Sequence, residues 1–306
     1  MNQDPVTEPT KSEMNSQRPS IGNNPEAERH PIFRSVWFTV NVLLVASIFL
    51  AVYSAGWEFS TRRYLKGFSD AIVPATSPGD EKVEAILHWM AHGPARRNSQ
   101  ADKLQGDRDP TDTLNYEALL RVCGTATNAF INLVDTGHME VRRLLLVDSH
   151  EMTKHVVAEV LVDGRWIVVD PTFRVVMRGE DGTALTREEL SDSATLAVAT
   201  RELKGYDPTY TYNEVVHIRL ARFHFFGSLL RRILDRAVPG WEDTPFMTLI
   251  VERESFAAMI SAFLLLIFLI LLRTALRWYG EKRLGVHSVR IRHQLLRACH
   301  AFLDAT

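Results

Sequence analysis

The sequence predicts an α+β domain held between two membrane-spanning helices. Three features carry this prediction: two long apolar runs without charge, an amphipathic helical pattern over residues 126–134, and two β-rich runs joined by Asp163-Gly164. The chain has 306 residues, of which 46% are hydrophobic and 24% charged, with a formal net charge of −2. This composition excludes a wholly disordered chain, and the near-neutral charge offers no basic surface to nucleic acid. The 2 Cys exclude a disulfide scaffold.

Each end of the chain contains an apolar run long enough to cross a bilayer. Residues 35–57 carry no charged residue, and neither do residues 255–272, which are richer in Leu, Ile and Phe. About 20 apolar residues span the hydrocarbon core, and one Lys or Arg at its centre costs about 2.5–3.5 kcal/mol. We therefore predict transmembrane helices at 35–57 and 255–273, with the lipid bilayer as their partner. A buried core helix is the alternative for each run.

A cleaved signal peptide is a further alternative for the first run. The leader before it is long, its apolar stretch exceeds the usual ~7–15 residues, and no clean A-x-A site follows. An uncleaved anchor therefore fits the run better. The two spans could also contact a partner membrane protein.

The distribution of basic residues predicts the orientation of the two spans. The leader and the tail carry eleven Lys and Arg: Lys11, Arg18, Arg29, Arg34, Arg273, Arg277, Lys282, Arg283, Arg290, Arg292 and Arg297. The inner flanks carry five: Arg62, Arg63, Lys66, Arg236 and Arg253. By the positive-inside rule, this two-pass protein of the cytoplasmic membrane has both termini in the cytoplasm and its main domain outside.

The same pattern divides the rest of the chain into segments. We predict a disordered cytoplasmic leader over 1–34, a connector over 58–80, and the main domain over 81–210. A membrane-proximal segment follows over 211–254, and a basic cytoplasmic tail over 274–306.

Local patterns predict the elements of the main domain. Helices are indicated over 81–92, over the amphipathic stretch that ends at Gly137, and over 185–205, with a polar surface loop over 94–112. The first half of 213–236 fits a strand or a helix equally well. Residues 227–237 resemble a basic amphipathic helix, which could lie on the bilayer or pack against the domain.

Cys123 is the only cysteine between the two apolar runs, because Cys299 lies in the predicted cytoplasmic tail. A lone thiol in an oxidising compartment is an accident, an intermolecular partner or a nucleophile. Cys123-Gly124 directly precedes the amphipathic helix, and a helix N-terminus favours thiolate over thiol. The setting therefore favours the nucleophile.

A two-residue turn at Asp163-Gly164 fixes which side chains of the hairpin share a face. With strands at 155–162 and 165–170, His155 and Asp170 lie on one face as diagonal neighbours within hydrogen-bonding reach. The other face carries an apolar set, Val156, Ala158, Val160, Ile167 and Val169. The spacing thus provides a general base and a carboxylate that orients it for a thiol nucleophile.

The order of these residues resembles the transglutaminase-like superfamily, whose members have papain-like folds. The matching segments are 120–126 (LRVCGTA), 155–160 (HVVAEV) and 163–172 (DGRWIVVDPT). The resemblance covers roughly residues 81–175, and its most specific element is the Trp-x-x-x-Asp-Pro-Thr end of the third segment. This pattern depends on the combination of the three segments rather than on any one of them.

The resemblance implies a nucleophile helix packed on an antiparallel sheet and a catalytic triad of Cys123, His155 and Asp170. It implies acyl chemistry at an amide, with a thioester on Cys123 that water or an amine then attacks. The acyl donor would be a peptide or protein of the cell envelope. Arg121 stands where the family often has a small residue, and Val157 where it often has an aromatic residue. These departures affect the expected substrate contacts more than the triad itself. A non-catalytic, membrane-tethered binding or assembly module with the same fold is the alternative.

Two further site assignments follow from the resemblance. The backbone N–H of Cys123 is a candidate contributor to an oxyanion hole. Arg142 or Arg143 resembles a basic residue that the family often carries after the nucleophile helix.

We expect neither a cofactor nor a metal ion. His150 and His155 resemble the histidines of a zinc-protease HExxH motif, but they are five residues apart and would diverge on a helix. His88 and His92 have the i, i+4 spacing of a metal-binding pair, but no third ligand accompanies them. A pair on the helix surface is the simpler interpretation.

Overall fold

The computed structural model describes residues 31–73, 76–93, 109–148, 152–218, 232, 234–236 and 238–284. The α-helices and β-strands with described bounds are, in chain order, α1 (Pro31–Ile72), α2 (Gly79–His92), α3 (Pro110–Asn115), α4 (Cys123–Thr136), β1 (Val141–Val147), β2 (Thr153–Val162), β3 (Arg165–Asp170), β4 (Val175–Val176), α5 (Arg187–Leu190), α6 (Ser193–Thr200), β5 (Val215–Val216), α7 (Pro245–Glu252) and α8 (Glu254–Arg283). Among the described residues, two short 3-10 helices lie at Leu119–Arg121 and Trp241–Asp243. The chain divides into two compact units, Met1–Leu50 with Phe263–Thr306, and Ala51–Ala262. The predicted α+β class with one antiparallel sheet is confirmed.

Two helices, α1 and α8, contain the predicted spans and are long and apolar enough to cross a membrane. Only 17% of the most apolar window of each is buried, as expected for helices that expose side chains to lipid. Helix α1 is longer than the predicted span and continues to Ile72, so most of the predicted connector over 58–80 is helical. Residues 58–72 contain no proline, and the turn signal of this segment lies beyond the end of the helix.

In the unit that contains residues 31–50 and 263–284, α1 and α8 contact each other through polar and small residues. Nε of Arg273 donates a hydrogen bond of 2.9 Å to Oδ1 of Asn41, and the guanidinium lies 5.3 Å from the ring centroid of Trp37. A Cβ atom at Gly280 would come within 2.6 Å of the Phe33 ring. A glycine at this position therefore allows the close approach of the two helices.

The main unit is built on a five-stranded sheet with the strand order β4-β3-β2-β1-β5. Strands β2 and β3 are joined by Asp163 and Gly164, whose φ angles of 49° and 80° both lie in the left-handed region. This conformation is that of a tight hairpin turn, which places Val162 opposite Arg165. The register predicted from the sequence is therefore confirmed.

Helix α4 packs its predicted apolar face on one face of the sheet. Ala126, Phe130 and Leu133 are fully buried against the apolar set that β2 and β3 present. Burying each large side chain contributes about 1.5–3 kcal/mol, so this contact fixes the position of α4 on the sheet. The N-terminus of α4, with Cys123 as its first residue, is held with it.

The opposite face of the sheet is covered by the chain that follows β4. The cluster on this face consists of Leu144, Leu146, Val157, Val168, Met177, Leu185, Leu190 and Tyr212. The predicted helix over 185–205 is divided into α5 and α6, because Asp192 leaves the helix and accepts a hydrogen bond from the Thr195 N–H. The sheet is thus covered on both faces.

The structure describes parts of the remaining predicted segments. In the predicted loop over 94–112, α3 begins at Pro110 with Asp109 as its cap. In 213–236, Val215–Val216 form a strand, β5, that pairs with β1. Most of the predicted leader, tail and amphipathic helix over 227–237 lies outside the described residues.

A buried ion network joins α4 to the corner between α7 and α8. Arg253 is 1% exposed, and its guanidinium donates to Oδ1 of Asn132 (2.7 Å), Oδ2 of Asp135 (2.6 Å) and Oε1 of Glu58 (3.1 Å). The second oxygen of Glu58 accepts a hydrogen bond of 2.7 Å from Ser255. The arginine thereby links residues from α1, α4 and the start of α8 within the main unit.

Candidate active site

Cys123 is the first residue of α4 and is half-buried. Val122 before it is extended, with φ −98° and ψ 127°, so the chain enters the helix abruptly at the cysteine. The hydrogen bond with His155 is the main cause that lowers the pKa of the Cys123 thiol, and the N–H groups of Gly124 and Val156 lower it further. Burial acts in the opposite direction but does not reverse the shift. These hydrogen bonds therefore favour the thiolate over the thiol form of Cys123.

The sulfur of Cys123 can contact strand β2 because the pairing between β2 and β3 ends before Val156. The ladder runs from the Ala158–Val169 pair to the hairpin turn, and before Ala158 strand β2 is paired with β1. In this stretch the N–H of Val156 interacts with the sulfur, and its C=O accepts a hydrogen bond of 3.0 Å from Thr127 on α4. The strand edge left open by β3 thus contacts the start of α4.

His155 and Asp170 contact each other as the hairpin register predicts. Nε2 of His155 lies 2.7 Å from Oδ2 of Asp170, and the residues are 2% and 0% exposed. Because Nε2 is engaged by the carboxylate, Nδ1 is the ring nitrogen left for the thiol. The structure therefore brings all three predicted site residues, Cys123, His155 and Asp170, together.

The turn after β3 holds the carboxylate of Asp170. Its Oδ1 accepts hydrogen bonds from the backbone N–H of Thr172 (3.0 Å) and of Phe173 (3.3 Å), while Oδ2 faces His155. Pro171 has no N–H and restricts φ, which favours this tight turn. The Asp-Pro-Thr element of the sequence is thus the device that orients the carboxylate.

The imidazole of His155 is charged over the neutral pH range. Burial alone would lower its pKa, but hydrogen bonds with Asp170 and with Cys123, and the charges of both partners, outweigh burial and raise the pKa to about 9. Together with the lowered pKa of the Cys123 thiol, this shift favours a thiolate–imidazolium pair oriented by a carboxylate. Such a pair has an activated nucleophile and a proton donor in contact.

Three aromatic rings surround the imidazole of His155, and the sequence analysis did not predict these contacts. Tyr210 stacks on His155 with centroids 4.6 Å apart and an interplanar angle of 3°. Phe173 and Tyr206 meet the ring edge-on at 6.1 Å and 6.2 Å. The three tyrosines of 206–212 were the available signal, but their periodicity does not reveal which ring they contact.

A cavity of about 520 Å³ adjoins the site. It is lined by Leu146, Val147, Asp148, Lys154, Thr209, Tyr210, Thr211, Asn213 and Glu214. Two of these residues connect it to the triad, because Tyr210 stacks on His155, and Val147 belongs to the apolar cluster against which Cys123 packs.

The remaining candidate residues of the sequence are engaged in other interactions. Arg142 pairs with Glu159 at 2.7 Å, and Arg143 pairs with Glu252 at 2.6 Å. The rings of His88 and His92 lie 4.7 Å apart on α2. No group of three or more His, Cys, Asp or Glu side chains is arranged to hold a metal ion in the part of the chain that the structure describes. His150 lies outside the described residues.

No family model matches the chain, and neither a curated protein nor a solved structure matches it.

Proposed function

We propose that this protein is a membrane-anchored, transglutaminase-like cysteine amide hydrolase or acyltransferase that acts on a peptide or protein of the cell envelope. One observation carries the proposal: a half-buried thiol at a helix N-terminus interacts with an imidazole whose Nε2 lies 2.7 Å from a buried carboxylate. Nucleophile, base and orienting group in this order are the requirements of covalent catalysis at a carbonyl.

In the first half-reaction, the thiolate of Cys123 attacks the carbonyl carbon of the amide and a C–S bond forms. The electron pair of the C=O bond moves onto oxygen, where the backbone N–H groups at the start of α4, including that of Cys123, can stabilise the charge. The imidazolium of His155 then gives its proton to the leaving nitrogen, the C–N bond breaks, and an amine departs. A thioester on Cys123 remains.

In the second half-reaction, water or an amine attacks the thioester carbon. His155 removes the proton of the attacking group, and the C–S bond breaks to regenerate the thiolate–imidazolium pair. Asp170 keeps Nε2–H of His155 directed away from the thiol, so that Nδ1 handles the transferred proton. General acid–base catalysis of this kind typically contributes about 10²–10⁴-fold in rate.

The two membrane helices support an envelope location for the substrate. The excess of basic residues in the leader and tail favours a cytoplasmic position for both termini, so the domain that carries the site would face the outer side of the cytoplasmic membrane. A substrate there would be a peptide or protein of the envelope.

A binding or assembly module is the second candidate function, and the burial of the imidazole favours it. His155 is 2% exposed and is covered by Tyr210, which limits access to one face of the ring. Cys123 remains half-buried, however, so the thiol can be reached without displacement of this cover.

Acid quenching of membranes that contain the full-length protein, followed by mass spectrometry of the Cys123 peptide, tests the proposal. We expect a hydroxylamine-sensitive acyl adduct on Cys123, whose mass identifies the donor, and its loss in the Cys123→Ala variant. His88→Ala, which changes an exposed histidine on α2, is the matched control and should keep the adduct. A thiol that never carries an acyl group, together with an unchanged cellular phenotype of Cys123→Ala, would favour the binding module.

A further inference from the structure

The stack between Tyr210 and His155 is the closest aromatic contact of the site. The two rings are parallel within 3° and their centroids are 4.6 Å apart, whereas the neighbouring rings meet the imidazole edge-on. Offset or parallel stacking at this distance is a favourable arrangement for two aromatic rings. Tyr210 therefore fixes the plane of the imidazole from one side.

Other residues of the same loop hold Tyr210 in place. Tyr206 meets Tyr210 edge-on with centroids 5.3 Å apart, and it contacts Phe173 at 5.2 Å. The hydroxyl of Tyr206 lies 3.5 Å from that of Tyr212, which is 2% exposed and belongs to the cluster under the sheet. The stacked ring is thus anchored to the core rather than carried by a free loop tip.

The positive charge of the imidazole strengthens its stacking contact with Tyr210. A cation over an aromatic face is attracted by the quadrupole of the ring, and this attraction is stronger where water is excluded. Burial of Tyr210 raises the pKa of its phenol, and the charges of Asp207, Cys123 and Asp170 raise it further, so the ring stays neutral and presents its face to the imidazolium. The titratable groups around the imidazole are Cys123, Asp170, Tyr206 and Tyr210.

Tyr210, which stacks on the imidazole, is also one of the residues that line the adjacent cavity. Loss of its ring would therefore remove one face of the imidazole's cover next to this cavity. A hydrated imidazole would interact more weakly with both of its charged partners, because the effective dielectric constant would be higher.

We infer that Tyr210 is a positioning residue for the proposed acyl chemistry, which holds the imidazolium of His155 in the plane that serves both Cys123 and Asp170. This inference rests on the proposed function, but it makes a separate claim about the aromatic face. The claim requires an aromatic ring at position 210, and it does not require the hydroxyl group.

The test measures the rate at which iodoacetamide alkylates Cys123 as a function of pH in the full-length protein. All variants carry Cys299→Ser, so that Cys123 is the only thiol. We compare Tyr210→Phe, Tyr210→Leu and Tyr210→Ala, and thermal unfolding confirms that each variant is folded. Leu fills space without an aromatic face, so it separates stacking from packing.

We expect Tyr210→Phe to keep the acid midpoint of the parent profile. Tyr210→Leu and Tyr210→Ala should raise this midpoint by about one pH unit or more, since an imidazole that is free to rotate loses its hydrogen bond with the thiol, and one unit lowers the thiolate fraction at acid pH about tenfold. A Leu variant that behaves like the Phe variant would overturn the stacking claim. If every variant shared a low midpoint with the parent, Tyr210 would have no positioning role.

The same experiment separates this inference from the proposed function. If the parent itself reacts like an ordinary thiol, the activated cysteine is refuted whatever the Tyr210 variants do. If the parent has a low midpoint that all Tyr210 variants keep, only the role of Tyr210 is refuted.

Discussion

Nε2 of His155 and Oδ2 of Asp170 are 2.7 Å apart on neighbouring strands that a two-residue turn connects. Both side chains are almost completely buried, so their contact is shielded from solvent. The Asp163-Gly164 turn sets the strand register that brings the two side chains together, and their contact raises the pKa of the imidazole. The behaviour of Cys123 should therefore depend on groups that never touch a substrate.

The Asp170→Asn variant tests the role of the carboxylate. Loss of its negative charge removes a cause that raises the pKa of His155, so less imidazolium is present to stabilise the thiolate. We expect alkylation of Cys123 by iodoacetamide at pH 6.5 to slow by about tenfold or more, which corresponds to a rise of one unit in the thiol pKa. Asp181→Asn, at an exposed loop position, is the control; equal rates in all three proteins would exclude the proposed role of Asp170.

The thiolate–imidazolium pair should make the stability of the main domain depend on pH. The pKa of His155 rises from 6.5 to about 9 on folding. Its contribution to the free energy of unfolding is therefore complete below pH 6.5 and is lost as the pH rises through 9. The pKa of Cys123 falls on folding, so its contribution is present above the ordinary thiol pKa and is lost as the pH falls through the lowered value. Because the thiol contribution changes in the opposite direction over this range, both proteins in the comparison carry Cys123→Ser. In this background we expect the advantage of His155 over its Asn variant in thermal unfolding to be smaller at pH 10 than at pH 7.5. An advantage that grows with alkaline pH would contradict the assignment.

Arg253 should be essential for the stability of the main domain. Arg253→Met removes the charge and keeps much of the volume, which leaves the buried carboxylate of Glu58 and the half-buried carboxylate of Asp135 without this partner. Breaking a buried ion pair in this way costs about 3–5 kcal/mol, measurable by denaturant unfolding of the purified protein. The control is Arg201→Met, whose exposed pair with Glu180 contributes about 1 kcal/mol or less. Similar losses in the two variants would show that the buried network has no special role.

The orientation of the two spans has its own test. A reporter enzyme that requires disulfide formation should be active when fused after residue 80, because this position would lie outside the cytoplasm. Fusion after residue 284, beyond both spans, should give an inactive reporter. The reverse pattern of activities would overturn the proposed orientation, and with it the envelope location of the substrate.

The sequence predicted those parts of the site that short-range rules determine. The turn residues Asp163 and Gly164 set the hairpin register, and the register brought His155 and Asp170 into contact. The apolar periodicity of α4 likewise predicted its buried face. Alternation along a strand and periodicity along a helix leave little freedom in these elements.

The parts that the sequence did not predict depend on contacts between distant residues. Tyr210 stacks on a histidine 55 positions earlier (210 − 155), and Arg253 donates to a glutamate 195 positions away. Neither contact leaves a periodic pattern, because each depends on how whole elements pack. The extension of α1 to Ile72 was missed for a different reason, since the apolar run marks the span but not the end of the helix.

The most direct test of the account is the pH profile of Cys123 alkylation by iodoacetamide in the parent and in His155→Asn, each with Cys299→Ser. We predict that the acid midpoint of the parent lies below that of an ordinary thiol, because the pKa of Cys123 is lowered. His155→Asn should raise this midpoint by about one pH unit or more, which lowers the alkylation rate at acid pH about tenfold. His88→Asn should match the parent. A parent profile with the midpoint of an ordinary thiol, at about pH 8.5, and the same profile in His155→Asn would contradict the account.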